Sequence, residues 1–137
     1  MSDIFGALGI SASGMSAERL RLDVTSANLA NADTTRGANG QPYVRQEVSL
    51  ESGGVSAFSN VLTGVQVAGI VNDPSPPRRV YEPNHPDADK NGYVSLPNVN
   101  SVTEMTDLIA ESRSYEADAQ AFQTAKTLYS KTIDLLH

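Results

Sequence analysis

The chain has 137 residues, enough for one modest domain, and carries a formal net charge of −6. Its hydrophobic content of 39% lies below the roughly 45–50% of globular domains, although that reference also counts glycine, so a single large core is not expected. The acidic balance argues against nucleic acid as a partner, because phosphate binding needs a basic face. Cysteine is absent, which excludes disulfides and thiolate metal sites.

The first 35 residues are predicted to form a helix that packs against another helix. Apolar residues recur there every seven positions, a repeat typical of helices that pair in a supercoil. Gly6, Gly9 and Gly14 each cost about 1 kcal/mol relative to alanine inside a helix, so we expect this helix to depend on a partner for stability. An ordinary core-facing helix is the alternative. The repeat consists of Leu8, Met15, Leu22 and Leu29.

The short apolar run at residues 4–10 is neither a membrane span nor an ordinary signal peptide. It is far too short to cross a bilayer. A signal peptide would carry positive charge before such a run, and Asp3 stands there instead. If the protein leaves the cytoplasm, we therefore expect export without a cleaved signal.

Residues 36–98 are rich in proline and glycine and are predicted to form a small β-rich module. The alternating run 43–51 predicts one strand, and residues 65–71 predict a second. Two short strands, at 79–81 and 93–96, are expected on either side of a turn.

That turn contains the first half of a calcium-binding loop. Asp87, Asp89, Asn91 and Gly92 match the pattern D-x-D-x-N-G, which places oxygen ligands at alternate positions and glycine at the bend. The second half fails, because Asn98 stands where a bidentate glutamate is expected. Asp, Asn and Gly are also ordinary turn residues, so a plain β-turn is the favoured interpretation and a metal site is not predicted.

Residues 99–137 are predicted to form the second terminal helix. Ser101 followed by Glu104 matches a capping box, in which a serine cap and a glutamate three residues later satisfy the first amides of a helix. No glycine or proline follows. A second apolar repeat of seven, interpreted as helix packing, consists of Leu108, Tyr115, Phe122, Tyr129 and Leu136.

The predicted fold class is therefore α+β. Two long helices, within 1–35 and 99–137, are expected to form an antiparallel coiled coil, with the β-rich module of residues 36–98 between them. The two apolar repeats together form the predicted assembly seam. Three acidic residues are expected on the outer faces of the second helix: Glu111, Glu116 and Asp118.

Nothing in the sequence predicts an enzyme. The two histidines are His85, in a proline-flanked turn, and His137. No nucleophile elbow, phosphate-binding loop or H-E-x-x-H pattern occurs. We expect no catalytic residue, no cofactor and no small-molecule substrate.

One segment carries a specific resemblance. Residues 26–34 read S-A-N-L-A-N-A-D-T and resemble the signature of the bacterial flagellar rod and hook proteins, roughly S-x-N-L-A-N-x-x-T. Asparagines at these positions can bind backbone groups where a helix ends. The run that begins at Arg113 resembles the family's R-x-Y-E/Q-A-N block, with Asp118 where the family usually has asparagine. The matching residues are Ser26, Asn28, Leu29, Asn31, Thr34, Arg113 and Tyr115.

The resemblance, closest to the short subunits of the proximal rod, implies a structural role. Such a protein would be a flagellar basal-body subunit that transmits torque across the periplasm and self-associates in the rod. It would be exported by the flagellar type III apparatus without a cleaved signal. Its partners would be the other rod proteins and the adaptor to the membrane ring. A small calcium-binding module and a secreted coiled-coil adaptor are the alternatives.

Overall fold

The computed structural model describes residues 2–53 and 64–134, with the backbone alone for residues 2–5 and 53. The predicted α+β fold is confirmed: along the described residues, two long helices precede and follow four strands. The predicted seam residue Leu136 and the terminal His137 lie outside the described residues. The elements are α1 (Ser2–Ala30), β1 (Gln46–Gly53), β2 (Gly64–Asn72), β3 (Arg78–Tyr81), β4 (Tyr93–Leu96) and α2 (Ser101–Asp134).

The strands form two small sheets. β1 pairs with β2, and β3 pairs antiparallel with β4, so that Arg78 lies opposite Leu96 and Tyr81 opposite Tyr93. All four predicted strands are present. β1 begins three residues later than predicted, because the backbone amide of Tyr43 donates to Thr34 and that of Arg45 donates to a side chain outside the sheet.

The start of α2 differs from the predicted capping box. The side chain of Asn100, not Ser101, accepts hydrogen bonds from the amides of Val102 (3.0 Å) and Thr103 (3.4 Å). Asn100 therefore caps the helix. Glu104, the expected second member of the box, is 1% exposed and bonds to other parts of the chain.

Contacts group the chain into two compact units. The first contains Met1–Leu22, Val48–Gly69 and Ile109–His137, and the second contains Asp23–Glu47 and Ile70–Leu108. Both helices contribute residues to each unit. The predicted three-part division at residues 35/36 and 98/99 stays a prediction.

In the first unit, α1 and α2 run antiparallel where they meet. Arg21 Nε lies 3.4 Å from Glu111 Oε1, and a Cβ built on Gly14 would lie 2.6 Å from Asp118 Oδ2. Between these two contacts, the residue number falls from 21 to 14 on α1 and rises from 111 to 118 on α2. This is the repeat of a supercoiled helix pair.

In each unit, few of the described side chains are fully buried, and some of those are polar. The buried apolar side chains include Ala17 of α1 in the first unit, and Val24 of α1 and Val94 of β4 in the second. The expectation that the acidic residues of α2 face outward is wrong for Glu111, which is 4% exposed, and for Asp118, which is half-buried against Gly14. Arg21 supplies Glu111 with an opposite charge, which allows the carboxylate to lie inside.

Among the described residues, neither helix combines the length and apolar content that a membrane crossing requires.

Candidate functional site

Asn28, in the last turn of α1, is the centre of a buried polar cluster in the second unit. Its Nδ2 donates to the Gln46 carbonyl (2.8 Å) and to Glu104 Oε2 (3.1 Å). Its Oδ1 accepts from the Gln46 amide and from the Tyr43 hydroxyl, each at 2.9 Å. Because an amide side chain offers two donors and two lone pairs, Asn28 uses its full capacity. We call Asn28, Tyr43, Arg45, Gln46 and Glu104 the Asn28 cluster.

The bonds to Gln46 join α1 to the start of β1. Asn28 accepts from the amide and donates to the carbonyl of the same residue, as a neighbouring strand would do. The Asn28 side chain is 1% exposed, so water does not compete for these hydrogen bonds. The helix end and the strand end are therefore held together by one side chain.

Glu104 and Arg45 form the charged half of the cluster. Arg45 Nε donates to Glu104 Oε1 at 2.6 Å, and the same guanidinium pairs with Glu47 and lies 3.6 Å from Asp73 Oδ2. Burial by itself would lower the pKa of Arg45, but hydrogen bonds to Glu104 and Glu47 outweigh burial and raise it. Burial, followed by the Glu104 charge, raises the pKa of Tyr43. The cluster thus keeps Arg45 charged and Tyr43 as a neutral hydrogen-bond donor.

Asn31 and Thr34 end the first helix. Asn31 Nδ2 donates to the Ala27 carbonyl at 2.8 Å, and the Asn31 backbone amide donates to the same carbonyl at 3.1 Å. Thr34 Oγ1 donates to Asn31 Oδ1 at 3.2 Å, and the Thr34 carbonyl accepts from the Tyr43 amide. The chain therefore returns to the Asn28 cluster directly after the helix ends.

Asn98 supports the cluster from the far end of β4, and sequence reasoning missed this role. Its Oδ1 accepts from the Arg45 amide at 2.9 Å, and its Nδ2 donates to the carbonyls of Ser75 (3.2 Å) and Asp73 (3.4 Å). Hydrogen bonds from Ser75 lower the pKa of Asp73, which faces Arg45. No sequence pattern distinguishes Asn98 from the other asparagines in turns.

The turn between β3 and β4 uses its carboxylates internally. Asp87 accepts from Thr35 Oγ1 (2.7 Å) and pairs with Arg36 (2.5 Å), and its pKa is lowered, mainly by the Thr35 bond. Asp89 accepts from the amides of Tyr93 and Asn91, and its pKa is lowered mainly by Tyr93. In the described part of the chain, no cluster of acidic or histidine residues has the arrangement of a metal site. These bonds favour the β-turn interpretation over the calcium loop.

The predicted seam residues lie beside the most buried positions of the helices. Of the α1 side chains from residue 6 onward, Ala17 and Val24 are the buried apolar ones. On α2, Tyr115 is 36% exposed. Of the signature residues outside the seam, Ser26 and Arg113 are exposed. The other described seam residues are half-buried: Leu8, Met15, Leu22, Leu29, Leu108, Phe122 and Tyr129.

Comparison with known proteins supplies the family. The model "Flagella basal body rod protein" matches residues 8–38, and "Flagellar basal body rod FlgEFG protein C-terminal" matches residues 90–135. The chain is 43% identical to the flagellar basal-body rod protein FlgC of Bacillus subtilis, covering 96% of this chain and 97% of that protein. It is 43% identical to FlgC of Yersinia enterocolitica and 42% identical to FlgC of Salmonella typhimurium, each over 92% of both chains. The chain therefore belongs to the FlgC family of flagellar basal-body rod proteins.

Proposed function

We propose that this protein is a structural subunit of the proximal rod of the bacterial flagellar basal body. The observation that carries this proposal is the similarity to FlgC proteins along nearly the whole length of both chains. The role is mechanical: torque passes through many repeated contacts between subunits, and no catalytic step is involved. Contacts of this heterologous kind do not close on themselves and can continue along a shaft.

Exposed apolar side chains on α2 support an assembly role. Val102 is 73% exposed, Met105 54% and Ile109 55%. They follow one another at helical spacing, and contiguous exposed apolar surface marks protein contact sites. We propose that the half-buried seam residues are covered further in the assembled rod, where neighbouring subunits pack against the terminal helices.

The partners proposed are other rod proteins, further copies of this chain and the adaptor between the rod and the membrane ring. We also propose export through the flagellar type III apparatus without a cleaved signal, and a final location in the rod that crosses the periplasm. The weak intrinsic stability of a helix with several glycines is compatible with passage as an unfolded chain.

Substitution of Leu29 tests the proposed seam. Leu29→Asp places a charge at a half-buried seam position, and we expect it to abolish incorporation into the rod and swimming. Leu29→Met is the matched control, because it conserves volume and apolar character and should swim normally. If the Leu29→Asp variant swims normally at protein levels equal to those of the control, the assignment of Leu29 to the seam is contradicted.

A further inference from the structure

Two rows of side chains on α2 each repeat after seven residues. The acidic row consists of Glu104, Glu111 and Asp118, which face Asn28, Arg21 and Gly14 of α1. A second row, with the same spacing, consists of Leu108, Tyr115, Phe122 and Tyr129. A helix with such repetition offers similar side chains to its partner after a displacement of one heptad, about 10.5 Å along the axis at 1.5 Å per residue.

If α2 is displaced by seven residues towards its own N-terminus, its contacts with α1 remain chemically suitable. Arg21 would then face Asp118 in place of Glu111, and Gly14 would face Ala125 in place of Asp118. An arginine would still face a carboxylate, and the glycine would face a smaller side chain. The opposite displacement is excluded, because Asn28 would then face Pro97, which precedes the start of α2 at Ser101.

The Asn28 cluster is the part of the fold that does not repeat. Glu104 accepts both from Asn28 and from Arg45, and Arg45 is held by Asn98 through its backbone amide. In the displaced register, Glu111 would occupy the present position of Glu104 and would have to accept the bonds from Asn28 and Arg45. The start of α2 would also have to move past the end of α1. Asn98, three residues before α2, accepts from the Arg45 amide and so opposes such movement.

We propose that the Asn28 cluster is a register lock: it selects one of two heptad registers that the α1 and α2 sequences otherwise both permit. Polar residues in the seams of paired helices are known to specify register at some expense in stability. When the lock is broken, the pair populates a second register in which α2 is displaced by seven residues. This inference concerns the single chain and does not depend on the proposed rod function.

Cysteine crosslinking tests the lock directly, because the chain contains no cysteine of its own. The first reporter, Gly14→Cys with Asp118→Cys, detects the observed register, in which a Cβ at position 14 would lie 3.1 Å from Asp118 Cγ. The second reporter, Gly14→Cys with Ala125→Cys, detects the displaced register and keeps Asp118, which would face Arg21 in that register. Disulfides form only where the two Cβ atoms approach closely, so the reporters distinguish the registers.

With the lock intact, the first reporter should oxidise readily and the second should not. Adding Glu104→Ala should raise disulfide formation by the second reporter by about tenfold, since a hydrogen bond to a charged group contributes at least that factor to an equilibrium. Glu116→Ala, which removes an exposed acid from the same helix, is the matched control and should leave disulfide formation by the second reporter unchanged.

Circular dichroism on the same samples separates register change from unfolding. Glu104→Gln, which keeps the side-chain volume, provides a second and milder break of the lock. The proposal is overturned if either variant keeps its helicity without an increase in the 14–125 disulfide, or if Glu116→Ala produces the same increase. It is also overturned if helicity is lost and both reporters oxidise to the same extent, because the cluster would then maintain folding and not register.

Discussion

Asn28 and Glu104 are 76 residues apart in the sequence, yet their side chains share a hydrogen bond of 3.1 Å, and each is 1% exposed. This bond joins the last turn of the first helix to the first turn of the second. Arg45 and Tyr43, from the segment between the helices, bind the same pair. The buried amide of Asn28, one residue of the signature, therefore connects a helix end, a strand start and a charged pair.

Replacement of Asn28 by alanine is expected to destabilise the protein. Four hydrogen bonds are lost, and the buried partner groups on Gln46 and Glu104 are left unsatisfied. We expect a loss of about 3 kcal/mol in the free energy of unfolding, since each unsatisfied buried polar group costs roughly 1–3 kcal/mol. Urea denaturation measures this change. Ser26→Ala, an exposed substitution in the same turn, should stay within about 0.5 kcal/mol, and a similar value for Asn28→Ala would contradict the bonding described.

The Arg45–Glu104 pair is expected to behave as a buried charged pair. Arg45→Met leaves the Glu104 carboxylate buried without its counter-charge, and the expected loss is roughly 3–5 kcal/mol. Arg45→Met combined with Glu104→Leu should recover part of this loss, because the unpaired buried carboxylate is removed, while Asn28 Nδ2 loses its bond to Glu104. Denaturant unfolding of the four members of the cycle gives the coupling.

The exposed pair of Arg79 and Asp89 serves as the control for that cycle. Its side chains are 59% and 41% exposed, and Arg79→Met should cost no more than about 1 kcal/mol. If the Arg45 and Arg79 substitutions had equal effects, burial would not govern the Arg45–Glu104 interaction.

Two of the glycines of α1, Gly9 and Gly14, are expected to respond differently to alanine. Gly9 has open space around its missing Cβ, so Gly9→Ala should gain up to about 1 kcal/mol in stability from helix propensity. At Gly14 the new Cβ would lie 2.6 Å from Asp118 Oδ2, so Asp118 must move and the gain should be smaller. Adding Asp118→Ala should restore the missing part of the gain at Gly14. Equal gains at both glycines, measured by thermal unfolding, would show that Asp118 does not lie over Gly14.

The turn carboxylates are expected to contribute stability that is lost in acid. The folded-state pKa of Asp87 is lowered, mainly by the Thr35 hydroxyl, whereas the unfolded value is near the ordinary 3.9 or so. A lowered folded pKa means that the contribution is present above the unfolded value and disappears as the pH falls through the folded one. In Thr35→Val the pKa of Asp87 should rise towards its ordinary value, as carboxyl NMR titration would show. An unchanged pKa would mean that Thr35 does not donate to Asp87 in solution.

The sequence predicted the elements better than it predicted which helix faces lie inside. The strand at 93–96 was predicted with its observed limits, because turn residues bound it on one side and a proline on the other. A seven-residue apolar repeat identifies a helix that pairs with another helix. Neighbouring rows of side chains on that helix have the same seven-residue spacing, so the repeat does not establish which row is the most buried. The sequence pattern therefore places Glu104 in a cap and Glu111 on an outer face, whereas both side chains are buried.

The Asn28 cluster was predictable only in part. Resemblance to a family signature identified Asn28 and Asn31 and the helix end that they occupy. Their partners were not predictable, because Tyr43, Gln46 and Glu104 lie 15, 18 and 76 residues from Asn28 and no local pattern connects them. The role of Asn98 likewise depends on the path of the chain after β2.

Electron microscopy of basal bodies from a strain that lacks this gene tests the proposed rod role most directly. If the protein is a structural rod subunit, the mutant should lack a complete rod and hook, and the intact gene should restore both. An Asn28→Ala gene supplied in the same way should restore them poorly. Complete basal bodies in the deletion strain, without a second copy of the gene, would contradict the rod role and favour a secreted coiled-coil adaptor.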